Sequence, residues 1–199
     1  MSGSLRRVTK IMVLRHAEKP AKDLEPFGVT LEGKRDSESL TARGWQRAGA
    51  LANLFAPTNG HFQHASLAKP QLIYASKPLK RKGSRRPIET ITPLAEKLAI
   101  RINKSFPRFE VESMLEEVFL CKGAVLICWQ REYIPRIAAH ILGNKRRVPQ
   151  VWPENRFDLV WVFDRDRSSD RFTFKQVPQR LLMGDWTTPI NHKEPKRFA

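Results

Sequence analysis

The chain has 199 residues, 41% hydrophobic and 28% charged, which suits a globular domain with a real core and is too short for two large domains. No apolar run approaches the roughly 20 residues of a membrane-spanning helix, so an integral membrane protein is not expected. Thirty-six Lys and Arg against 20 Asp and Glu leave a formal charge of +16 and a pI near 10.4, so the expected partners are anions.

In chain order, the first element is a short strand buried on both faces at Ile11-Met12-Val13-Leu14. Its four apolar residues fall short of the roughly 7–15 of a signal-peptide core. With only Cys121 and Cys128 in the chain, a reducing, cytosolic compartment is expected. Residues 19–40 are polar and charge-dense and read as a long loop over one edge of a sheet. Trp45, Ala48, Leu51, Ala52 and Phe55 then recur at helical spacing, with Thr41 as N-cap of a helix over 42–55. A second strand is read at 71–75 and a helix at 88–99, whose start Pro93 leaves open. Val111, Met114, Leu115 and Val118 mark another helix. A third buried strand spans Ala124 to Trp129, and the helix after it, anchored by Ile134, Ile137, Ala138 and Ile141, stops at Gly143-Asn144. Two late strands, near 157–164 and 171–177, flank a turn at 167–170 as an antiparallel hairpin. The alternation predicts one α/β domain over residues 1–199, with helices on both sheet faces.

In such a sheet, ligands collect beyond the carboxyl ends of the strands. Arg15-His16-Ala17-Glu18 follows the first strand. Ser76 and then the basic run Lys77–Pro87 follow the second, and Gln130-Arg131-Glu132 follows the third. Each end delivers arginine and the first also a histidine, which describes an anion pocket containing an imidazole.

These residues carry a resemblance. VLRHAEK at 13–19 is similar to the Arg-His signature of the histidine phosphatase superfamily, the phosphoglycerate-mutase-like fold. LTARGWQRAGALANLF at 40–55, IYASKPLKRKGSRRPIETITPLAEKL at 73–98 and AVLICWQREYIPRIAAHIL at 124–142 match further segments in order and spacing. WPENRFDLVWVFD and QVPQRLLMGD, near the C-terminus, resemble a bacterial-type subgroup. The resemblance implies a three-layer α/β/α sandwich, with a mostly parallel sheet and a late antiparallel hairpin. It also implies a phosphomonoesterase that forms a phosphohistidine at His16 on a small phosphorylated substrate. Arg15 and Arg86 would bind the non-bridging oxygens, without metal or cofactor. Arg85 is the rival to Arg86. Glu112 and Glu18 are the candidate acids, with helix-surface charge and a contact to the helix after Thr41 as their respective alternatives.

One departure from the pattern bears on activity. The subgroup's second histidine falls where this chain has Arg131, or Gln130 one register away, and His140 lies two turns down the following helix. Arg131 keeps a positive charge for a phosphate oxygen but cannot share a proton as histidine does. The second expectation is therefore a weakened or inactive member that binds a phosphorylated ligand or polyanion. Nucleic acid is a third and lesser partner, and oligomeric state is left open. His61 and His64 read as surface loop, Cys121 and Cys128 as packing residues, and Trp129, Trp152 and Trp161 as core.

Overall fold

The computed structural model describes residues 7–21, 25–79, 83–166 and 168–191. Lys80, Arg81 and Lys82 of the basic run and Arg167 of the hairpin turn lie outside the described residues. The strand expected at 11–14 is longer: β1 runs Val8–Arg15. Ile11 and Val13 face one side of the sheet and Met12 and Leu14 the other, all fully buried. A strand apolar on both faces is stable only when both are covered, so β1 must be central.

Thr41 caps α1 (Ala42–Phe55), its hydroxyl accepting from the Gly44 N–H at 3.2 Å. The second strand, β2, is Leu72–Ala75. The next helix, α2, spans Arg86–Leu98 with a proline in its first turn and Pro93 inside it. A two-residue strand, β3 (Ile102–Asn103), too short to leave a pattern, pairs with β2 at the sheet edge. Then come α3 (Val111–Leu120), β4 (Gly123–Trp129) and α4 (Ile134–Leu142), the last closed by Gly143 at φ +62°. Only glycine takes that left-handed conformation without strain. The hairpin strands are β5 (Leu159–Arg165) and β6 (Phe172–Pro178).

The six strands lie in the order β3-β2-β4-β1-β5-β6. The first four are parallel, β5 is antiparallel to β1, and β6 is antiparallel to β5. Met12, Leu14 and Leu126 pack with α1 and α2 on one face, whereas Ile11, Val13 and Val125 pack with α3 and α4 on the other. The three-layer α/β/α sandwich with its late antiparallel strands is therefore borne out. Trp129, Trp152 and Trp161 are buried core residues.

The position of the 19–40 loop is corrected. Among the described residues it is bonded to the start of α2. Glu38 O accepts from the Arg85 N–H, and the Glu89 carboxylate takes both the Ser39 hydroxyl and the Leu40 N–H. Glu89 sits in the first helical turn, where a carboxylate is favoured, and so ties the loop to that helix end.

Candidate active site

Neighbouring parallel strands β1 and β4 send their following helices to opposite faces, which opens a crevice beyond their carboxyl ends. The two ends are tied together, the His16 N–H donating to Trp129 O at 3.1 Å. A cavity of about 330 Å³ lies there. Arg15, His16 and Lys19 line it from β1, and Gln130, Arg131, Glu132 and Tyr133 from β4. Ser84 and Arg86 contribute from the start of α2, and Arg108 from the turn before α3.

His16 is 5% exposed, and its Nδ1 lies 2.7 Å from the carbonyl of Ala17. A carbonyl can only accept, so Nδ1 carries the proton and Nε2 is left with its lone pair. Burial, reinforced by the Arg15 charge, holds the imidazole pKa well below the ordinary 6.5. A neutral imidazole with a free Nε2 is the nucleophilic form.

Arg15 is buried and fixed from one side. Its Nη1 donates to the carbonyls of Pro153, Glu154 and Arg156 at 3.2, 2.6 and 3.0 Å, and its guanidinium carbon lies 3.8 Å from the Phe157 ring centroid. Burial first, then the Arg131 charge, pushes its pKa down to about 9, which leaves it cationic at neutral pH. Arg86 donates from Nη1 to Ser37 O at 2.8 Å, and burial lowers its pKa as well. The Thr90 hydroxyl links the two elements: it accepts from the Ala17 N–H at 2.8 Å and donates to Arg86 O at 2.7 Å. Threonine four residues after arginine therefore fixes the start of α2 against the end of β1.

Buried polar atoms normally find partners, so a cluster of unpartnered ones around a cavity is a candidate place for a ligand. Among the described residues five buried side-chain atoms have no hydrogen-bond partner: Arg15 Nε, Arg86 Nε, Ser84 Oγ and Gln130 Oε1, whose residues all line this cavity, and Ser76 Oγ, whose residue does not. The two Nε–H groups can donate to an anion, the Ser84 hydroxyl can donate or accept, and the Gln130 amide can present either end. The arrangement can bind a tetrahedral oxyanion beside an unprotonated imidazole.

The structure thus brings together Arg15, His16, Arg86 and Arg131. It does not bring Glu112. That carboxylate stands on α3, held by Arg136 at 2.7 and 2.6 Å with its pKa lowered by that contact, and it lines no part of the cavity. The reading of Glu112 as the acid is corrected on that geometry. Glu18 is engaged by Arg47 at 2.8 Å and by Arg43 at 3.4 Å. Arg85 pairs with Asp36 and Glu89, outside the cavity.

Glu132, paired with Arg131 at 3.2 Å, is the carboxylate among the lining residues. Its place directly after a strand end was the signal that could have nominated it. Arg108 and Ser84 come from irregular segments that carry no pattern. His61 and His64 are exposed, and the His64 ring accepts from the Ser66 N–H. Burial raises the pKa of the Cys128 thiol.

No protein-family model and no curated protein matches the sequence. Solved structures do match in fold. A phosphoserine phosphatase mutant from Entamoeba histolytica in complex with phosphoserine superposes with a TM-score of 0.55 at 11% identity, over 88% of this chain and 100% of that one. The alpha-ribazole phosphatase of Shigella flexneri gives 0.53 at 13% identity, over 83% and 94%. The protein histidine phosphatase SixA complexed with tungstate gives 0.53 at 14% identity, over 85% and 97%. At these identities the likeness is one of fold alone: the α/β sandwich is shared with these three phosphatases.

Proposed function

We propose that the chain is a phosphomonoesterase working through a phosphohistidine at His16. The observation that carries this reading is the pairing of a neutral imidazole, its Nδ1–H spent on Ala17, with two arginines lining the same cavity whose buried Nε–H groups have no partner among the described residues. The fold shared with solved phosphatases supports it.

His16 Nε2 attacks phosphorus, the P–N bond forms as the ester P–O bond breaks, and the leaving oxygen departs with the bond electrons. Arg15 and Arg86 hold the three non-bridging oxygens, where transition-state charge accumulates, and Arg131 lies nearer the mouth. These arginines supply the positive charge that a metal would otherwise bring. In the second step water attacks phosphorus and the P–N bond returns its electrons to His16. Glu132, the carboxylate lining the cavity, takes the proton that water loses.

A second reading, a phosphate-binding protein with little turnover, has its own observation. At the end of β4, where the resemblance places a histidine, the cavity wall is Gln130 and Arg131. Neither exchanges a proton near neutral pH. The experiment is hydrolysis of an aryl phosphate across pH, with chelator present, by the wild type, His16→Ala and Arg131→His. Turnover lost in His16→Ala establishes the enzyme. Phosphate binding without turnover in the wild type, together with at least a tenfold gain in Arg131→His, establishes the second reading. Turnover that survives His16→Ala overturns the phosphohistidine route.

A further inference from the structure

The cavity holds more positive charge than one phosphoryl group needs. Five cationic side chains line it, Arg15, Lys19, Arg86, Arg108 and Arg131, against one lining carboxylate, Glu132. They fall into two tiers by depth. Arg15 is 1% exposed and the Arg86 side chain 14%, and these two carry the unpartnered Nε–H groups. The side chains of Arg131 and Lys19 are 26% and 35% exposed, and Arg108 is an exposed residue. A phosphoryl group carries about two negative charges and is matched by the inner tier.

The outer tier has a resident anion. Glu154 Oε1 lies 3.3 Å from Lys19 Nζ and 3.4 Å from Arg131 Nη2, so one carboxylate bridges two cations. The Lys19 contact, with Arg131 behind it, holds the Glu154 pKa below the ordinary carboxylate value. Its segment is firmly placed: the same turn gives Arg15 its three carbonyls, and Trp152 Nε1 donates to Arg156 O at 2.7 Å. The Glu154 side chain itself is 67% exposed and can swing into solvent. Arg108 has no ion pair among the described residues, yet Trp129 Nε1–H, donating to Arg108 O at 2.9 Å, fixes its backbone at the rim.

We propose that the outer tier is a second anion subsite: the substrate is a phosphomonoester whose leaving group carries a further phosphate or carboxylate, held by Lys19, Arg108 and the outer face of Arg131 in place of Glu154. This rests on the phosphatase reading for the orientation of the substrate. A neutral leaving group would give the outer cations nothing to replace Glu154. An anionic one satisfies Lys19 and Arg131 and brings Arg108 its first partner. The gain is largest where the charges are shielded from water.

Calorimetric titration of the full chain with three stable probes tests this. Methylphosphonate carries one anionic group, phosphonoacetate adds a carboxylate, and methylenediphosphonate adds a second phosphonate. The two larger probes are expected to bind about tenfold or more tighter than methylphosphonate at fixed ionic strength, and whichever gains more identifies the second group. Lys19→Ala with Arg108→Ala weakens the two larger probes far more than methylphosphonate and so removes that margin. Lys69→Ala with Lys175→Ala, which takes the same charge from exposed positions outside the cavity, keeps the margin. Glu154→Gln widens it by freeing Lys19 and Arg131. Equal affinity for all three probes, or an equal loss of margin in both double variants, overturns the subsite. Failure of methylphosphonate itself to bind overturns the phosphatase reading instead.

Discussion

His16 is held in one tautomer by one bond. Its Nδ1–H is committed to Ala17 O, and burial beside Arg15 and Arg86 disfavours the imidazolium. Nitrogen-15 spectra of the histidine rings should therefore show the Nδ1–H form for His16, still neutral at pH values where an ordinary histidine, with pKa 6.5, has taken its proton. The stability consequence has a definite sign. Below pH 6.5 the unfolded chain binds a proton that the native site refuses, so this residue's contribution is lost as pH falls and is constant above that range. A ring protonated at pH 6, or an Nε2–H tautomer, contradicts both statements. The carboxylates make a second residue-scale contrast. Glu132→Gln should slow aryl phosphate turnover about a hundredfold, the typical worth of a proton-transfer group, whereas Glu112→Gln should leave it unchanged. Equal effects of the two substitutions remove Glu132 from the mechanism.

Elements converge on the site because buried ion pairs and helix ends hold them there, and Arg47 is the clearest case. From the buried face of α1 its guanidinium bonds Glu18 beyond β1 at 2.8 Å and Asp185 beyond β6 at 2.6 Å, and donates to Gln179 at 2.9 Å. Burial opposes its charge, but the bonds to Asp185 and Glu18 outweigh it and raise its pKa. Arg47→Leu strands two carboxylates in a mostly buried place and should cost about 3–5 kcal/mol in urea denaturation. A loss under about 1 kcal/mol shows that Glu18 and Asp185 find solvent without Arg47. At this scale the sequence was readable wherever the pattern is local. Thr41 and the spacing after it gave α1, and Gly143 gave the end of α4. Arg15, His16 and Arg131 were legible as neighbours because strand ends in this topology must meet, whereas Arg86 was singled out of its basic run by the resemblance. Residues 19–40 and Glu112 were misplaced because their positions depend on partners distant in sequence, Glu89 and Arg136 among them. Two residues of β3 leave no periodicity at all.

Over the whole molecule a charge of +16 is a cost to compactness, since like charges repel, and it is offset only where it serves an anion. Five of the cations line one cavity whose neutral histidine lends no charge of its own. On the proposed function, approach of a substrate anion is steered over distances comparable to the Debye length, about 10 Å at 0.1 M salt, while the chemical step takes place among groups shielded from it. Raising salt from 50 to 500 mM should therefore lower kcat/KM for an anionic phosphomonoester several-fold and leave kcat within about twofold. The loss should be steeper for an ester with a second anionic group than for an aryl phosphate, because the exposed outer cations are screened more than buried Arg15 and Arg86. A salt response confined to kcat would place the electrostatics in the chemical step and remove steering as the function of the net charge. A duplex DNA that binds with a steep salt slope and blocks aryl phosphate turnover would assign the same cations to a polyanion partner.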